Sequence, residues 1–133
     1  MKDKSYNLSK YRLEKAREDL VSAKINFENK LYSQSINRSY YSIFHAVRAL
    51  LAFDEFDSKK HSGIIAYFNQ HYINDGKIDK KYSKILMESQ EFRSDSDYMD
   101  FYIATREQAQ KQIEDAEDFI AMLETYIKAN FPH

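Results

Sequence analysis

The stretch Asn37-Arg38-Ser39-Tyr40-Tyr41-Ser42-Ile43-Phe44-His45-Ala46 decides how this chain is read. It contains neither glycine nor proline. Apolar Tyr40, Phe44, Val47 and Leu51 recur at steps of four, three and four, the period of a buried helix face. Arg38 and His45 stand seven residues apart. An α-helix drifts only about 20° over that interval, so both side chains leave from nearly one face. Their Cα atoms would lie about 10 Å apart at about 1.5 Å of rise per residue. Tyr41 and Ser42 fall between them, and Arg48 extends the stripe. That face offers a permanent cation, a phenol, a hydroxyl and a group that titrates near neutrality. The ordinary structural reading stands beside it: an arginine paired with a carboxylate, and a histidine satisfied at the edge of a core.

The 133 residues suit one domain, residues 1–133 with a core at about 8–128. Two glycines and one proline leave little material for tight turns, and abundant Glu, Lys, Ala, Leu and Gln favour long helices. The absence of cysteine rules out disulfides and thiolate metal sites and fits a cytoplasmic location. The first residues lack the apolar stretch of a signal peptide, and no apolar run approaches the roughly 20 residues of a membrane span. A formal net charge of −1 argues against a protein that coats nucleic acid, but not against a locally basic cleft. The eleven tyrosines need partners or a wet edge for their hydroxyls, and they supply ring faces for packing or for stacking bases.

Five helices follow from the periodicity. The first covers about 8–28, burying Leu13, Ala16, Leu20, Ala23 and Phe27 and leaving Lys15, Glu18, Asp19 and Lys24 as solvated surface. The second covers about 32–52, with Ser33 or Ser35 assisting its start. Asp57 or Ser58 is a candidate cap for a short third helix carrying Ile64, Ile65 and Phe68. Asn74-Asp75-Gly76 is the clearest turn. The fourth helix covers about 79–92, and residues 93–98 read as a polar connector. The fifth covers about 99–128, with Tyr102, Arg106, Ala109, Ile113, Ala116, Ile120, Leu123 and Ile127 along one seam. Arg106 in that seam asks for a carboxylate or a phosphate, a nearby acid being the ordinary partner, and residues 130–133 read as a frayed tail. The expected fold is all-α: an up-and-down bundle of four long helices plus one short one.

Residues 37–46 look like the signature of a prokaryotic branch of the HEPN superfamily (higher eukaryotes and prokaryotes nucleotide-binding). His61-Ser62-Gly63-Ile64-Ile65, Phe68 and residues 93–98 follow in matching order and spacing, so the resemblance runs from about 11 to 126. It implies a helical bundle that usually dimerises. It also implies frequent pairing with a small nucleotidyltransferase as toxin and antitoxin. Many members are metal-independent ribonucleases with an Arg-x(4–6)-His motif, and Arg38 and His45 meet that pattern at its long limit. The motif departs from the established ribonucleases in lying on the second helix and in having Ser39 after the arginine.

On that resemblance Arg38 and His45 are the candidate catalytic residues. Tyr41, Ser42, Arg48, His61, Arg93 and Tyr98 are candidates for binding RNA or a nucleotide, and neither metal nor cofactor is expected. His45 would carry a proton and Arg38 would hold the phosphate through paired hydrogen bonds. Two groups about 10 Å apart on one helix predict that a two-fold dimer must bring Arg38 of one chain to His45 of the other. The alternative is a non-catalytic module that binds a nucleotide or a nucleotidyltransferase partner, with Arg38 paired to an acid such as Asp97. His61 and His71 lack a third ligand for a metal, and His61 is better placed as a cap of the third helix or a contact to the second helix. No glycine loop cradles phosphate, so side chains must hold any nucleotide.

Overall fold

A computed structural model describes residues 2–132 and contains no strand among them. The elements are α1 (Lys2–Glu28), α2 (Tyr32–Leu51), α3 (His61–Phe68), α4 (Lys80–Tyr98) and α5 (Arg106–Asn130). A 3₁₀ turn, Ala52–Asp54, follows α2, and a π-helical turn, Asn69–Ile73, follows α3. No helix is long and apolar enough to cross a membrane among the described residues.

Side-chain registers give the directions. α1 ends with Lys30 in the left-handed region at φ 61°, where Leu31 N–H donates to Asn26 C=O at 2.8 Å. The chain then reverses, and α2 runs back along α1. Ser35 Oγ donates to Ala23 C=O at 2.8 Å, and Arg12 Nη1 donates to Arg48 C=O at 3.0 Å. Ala16, Ala23, Ala46 and Ala49 are fully buried, and side chains that small let helices approach closely. α5 lies antiparallel to α1, as Arg17–Glu124 and Lys24–Glu117 show, and antiparallel to α4 through Lys81–Asp118 and Lys111–Glu88. α2 packs against α1, α4 and α5, so every one of its faces has a neighbour except the narrow strip that carries the motif. Tyr40, Ile43, Leu50, Phe68, Phe119 and Leu123 form the fully buried centre.

The up-and-down bundle is as expected, with differences at its ends. α1 begins at Lys2, six residues before the expected start. Ser35 spends its hydroxyl on α1, and α2 has no side-chain cap. Asp57 and Ser58 hold the turn before α3 and leave the helix itself uncapped. Residues 93–98, read as a connector, continue α4 because Arg93 pairs with Asp97 one turn on and packs over tyrosine rings of α2. Residues 99–105, read as helix, form a loop with Phe101 at φ 60°. α5 starts only at Arg106, behind the N-cap Thr105, whose side chain accepts from Gln108 N–H in a capping box.

Ala109, Ile113, Ala116, Ile120 and Leu123 form the seam as expected. Arg106 lies outside it, exposed, 4.9 Å above the Phe27 ring, and the seam therefore places no buried charge there. Phe131 stacks on Phe53 at 4.4 Å, so the chain is docked to that point and is not frayed. His133 lies outside the described residues.

Candidate functional site

The site is built where α1, α2 and α4 meet. α2 projects Arg38, Tyr41 and His45 into the strip that its neighbours leave uncovered. Asp19 of α1, expected to be solvated, instead faces them with 15% of its side chain exposed. Arg38 Nη1 donates to Asp19 Oδ1 at 3.0 Å, and His45 Nε2 lies 3.6 Å from Asp19 Oδ2. Arg38 Nε and Nη2 also donate to Asn37 Oδ1 at 3.0 and 2.8 Å. Its guanidinium sits 4.9 Å over the Tyr41 ring.

Burial pushes the His45 imidazole down to about 4, with Arg48, Lys15, Arg38 and Arg12 adding to the effect. The ring is therefore neutral at neutral pH, and its contact to Asp19 is a polar one. His45 Nδ1 is buried without a partner, so Nε2 is the nitrogen that addresses the site. Burial also raises the Asp19 carboxyl, against the opposing pull of Arg38.

On the α4 side, Arg93 Nη2 donates to Tyr41 Oη at 2.9 Å and Arg93 Nε lies 3.0 Å from Asp97. The same Asp97 accepts from Asn37 Nδ2 at 3.0 Å. Arg93 is thus packed among Tyr40, Tyr41 and Tyr98, the last of which is 72% exposed. Beyond His45, Arg48 donates to Asp57 at 2.9 Å, and Arg12 reaches the same carboxylate at 3.4 Å. His61 stacks on Phe44 at 4.0 Å, and its Nδ1 shares a 2.8 Å hydrogen bond with Tyr40 Oη. Burial and then Arg93 and Arg48 lower the His61 ring.

Two recesses flank this ridge. One of about 470 Å³ is lined by Asn26, Ser33, Gln34, Asn37, Arg38 and Asp97, among others. The other, about 560 Å³, is lined by Phe44, Arg48, Asp57, Ser58, Lys59 and His61. The structure thus gathers Arg38, Tyr41, His45, Arg93 and Tyr98 on one side and Arg48 and His61 on the other. Ser42 does not join them: it is fully buried and its hydroxyl has no partner. Arg38 pairs with Asp19, where Asp97 was the expected acid. No group of three or more His, Asp or Glu side chains is placed to hold a metal ion among the described residues.

Asp19, Asn37 and Asp57 carry much of the geometry, and none of them is among the site residues expected from the sequence. Every arginine of the site already faces a carboxylate.

Comparison with known proteins returns one consistent answer. The model of the HEPN domain matches residues 9–126. A Methanocaldococcus jannaschii protein named "Putative toxin" is 39% identical over 116 residues, 87% of this chain and 86% of its own length. A second protein of that organism with the same description is 27% identical over 86% of this chain and 78% of its own. A UPF0332 protein of Thermotoga maritima is 33% identical over 86% of each chain.

Proposed function

This chain belongs to the HEPN domain family, and on that premise we propose that it is a toxin-like component acting as a metal-independent ribonuclease. The observation that carries the reading is the convergence of Arg38 and His45 on one carboxylate. Two groups that bracket the oxygens of one carboxylate also suit two oxygens of one phosphodiester.

In this reading His45 Nε2 takes the proton of an RNA 2′-hydroxyl as the 2′-oxygen attacks phosphorus. The P–O5′ bond breaks as the 2′,3′-cyclic phosphate forms, and the 5′-oxygen leaves with a proton taken from water, the proton on His45 returning to solvent. Arg38 neutralises the charge that builds on the non-bridging oxygens. Tyr41 holds both Arg38 and Arg93 in place, and Tyr98 offers an exposed ring at the edge. The relatives named as toxins support the toxin-like role, and a nucleotidyltransferase is the partner we propose to restrain it. The test is RNA cleavage in EDTA by the wild type and by folded Arg38→Ala and His45→Ala variants, which should both be inactive.

One observation favours a second reading. Arg38, Arg48 and Arg93 are all matched by carboxylates, as in a module that binds a partner and catalyses nothing. Absence of cleavage by folded protein at any pH selects that reading.

A further inference from the structure

We propose that the Asp19 carboxylate is the internal occupant of an oxyanion site formed by Arg38 and His45, and that a phosphoryl group enters by displacing it. The inference rests on reading that pair as phosphate-handling, and it adds what keeps the pair closed.

The geometry is that of a bound anion. One Asp19 oxygen meets Arg38 Nη1 at 3.0 Å, and the other faces His45 Nε2 at 3.6 Å. The position that both residues face is the one Asp19 fills. Arg38 Nε and Nη2 also donate to Asn37, and the other His45 nitrogen is sealed in the protein without a partner. A phosphoryl group that meets both residues at once therefore stands where Asp19 now stands.

The carboxylate is also one that can be given up. It is largely withdrawn from water, and burial opposes its charge. A phosphate offers more negative charge and more acceptor oxygens to the same guanidinium. The recess lined by Asn37, Arg38 and Asp97 opens beside Arg38 and supplies an approach. Asp19 stands on α1 and its partners Arg38 and His45 on α2.

The probe is inorganic phosphate, read through the imidazole NMR signals of His45 in the whole chain. Asp19→Asn keeps the shape and removes the competing charge. Its half-saturating phosphate concentration should fall about tenfold or more relative to wild type, the scale of one charge-assisted contact. Arg38→Ala in that background should abolish the response, and Asp19→Glu should restore competition. Equal or weaker phosphate binding by Asp19→Asn overturns the proposal, as does a failure of both proteins to respond. Should Asp19→Asn unfold, Asp19→Ser is read in the same way. Cleavage of RNA separates the two claims. Tighter phosphate binding without cleavage by either protein supports the closed site and sinks the ribonuclease. Loss of cleavage in Asp19→Asn without tighter phosphate binding makes Asp19 a positioning residue and overturns the proposal.

Discussion

Arg38 and His45, seven residues apart on α2, reach the two oxygens of one carboxylate. Helical rise separates their Cα atoms by about 10 Å, yet the long arginine side chain closes the distance. The reason for requiring a dimer, that one helix could not bring both groups to a single anion, is thereby removed.

A site contained in one chain has a direct consequence. Mixing Arg38→Ala chains with His45→Ala chains should recover no RNA cleavage, since every chain lacks one half of the pair. Recovery of a substantial fraction of wild-type activity in the mixture would show that the pair is completed between chains.

The depressed His45 ring predicts the sign of a pH effect. The unfolded chain takes up a proton near pH 6.5 and the folded chain only near pH 4. Between those values the unfolded state holds more protons, so stability falls as pH drops from about 6.5 towards about 4. The raised Asp19 carboxyl acts in the opposite direction, because the folded state takes up that proton more readily. The contribution of His45 is therefore read as a difference. Urea unfolding of wild type should lose on the order of 1 kcal/mol more between pH 7 and pH 5 than His45→Gln does. Equal losses in both proteins would mean that His45 is not held neutral.

In the proposed ribonuclease, with His45 as its base, the same neutrality would set the acid limb of the pH profile. A base protonated only near pH 4 keeps kcat/KM flat from pH 7 to pH 5. A limb near 6.5 in the free enzyme would place His45 in a more solvated setting.

Tyr41 has two functions that substitution separates. Its hydroxyl accepts from Arg93, and its ring carries Arg38 at 4.9 Å and Arg93 at 5.3 Å. Tyr41→Phe should cost about 1 kcal/mol for the lost hydrogen bond. Tyr41→Ala should cost about 3 kcal/mol, since it also removes the ring on which both guanidinium groups rest. Similar losses in the two variants, measured by denaturant midpoint, would show that the ring faces contribute little.

The helix ends make a further pair of predictions. Lys30 occupies a left-handed position at φ 61° that a side chain disfavours, so Lys30→Gly should raise stability by about 1 kcal/mol. Thr105→Ala breaks the capping box of α5 and should lower it by about 1 kcal/mol. Thermal unfolding of the two variants should move in opposite directions.

What was legible in the sequence follows from what is local. The step pattern of α2 and the seam from Ala109 to Leu123 are repeated within one helix, and both were readable. The continuation of α4 through residues 93–98 was not, because Arg93 and Asp97 are polar yet pack against tyrosines of another helix. The loop at 99–105 was missed for the converse reason: Met99, Phe101 and Ile103 are apolar but exposed.

Asp19 shows what a register argument adds. It lies eleven residues before Lys30, and the midpoint between Arg38 and His45 falls between eleven and twelve residues after it. An antiparallel hairpin turning at Lys30 therefore sets Asp19 opposite the motif. The signal was present, but it lies between helices, and single-helix periodicity does not register it. The inward turn of Ser42 has no such signal, since a serine on either face fits the same pattern.

The most direct measurement is the cleavage of RNA by purified protein in EDTA, beside Arg38→Ala and His45→Ala variants whose folding is verified by circular dichroism. Cleavage by the wild type that falls at least a hundredfold in both variants, the usual scale for removing a proton-transfer group, is the predicted result. A folded wild type that leaves RNA intact, or a variant that cleaves as well as the wild type, would contradict the assignment of this pair to catalysis.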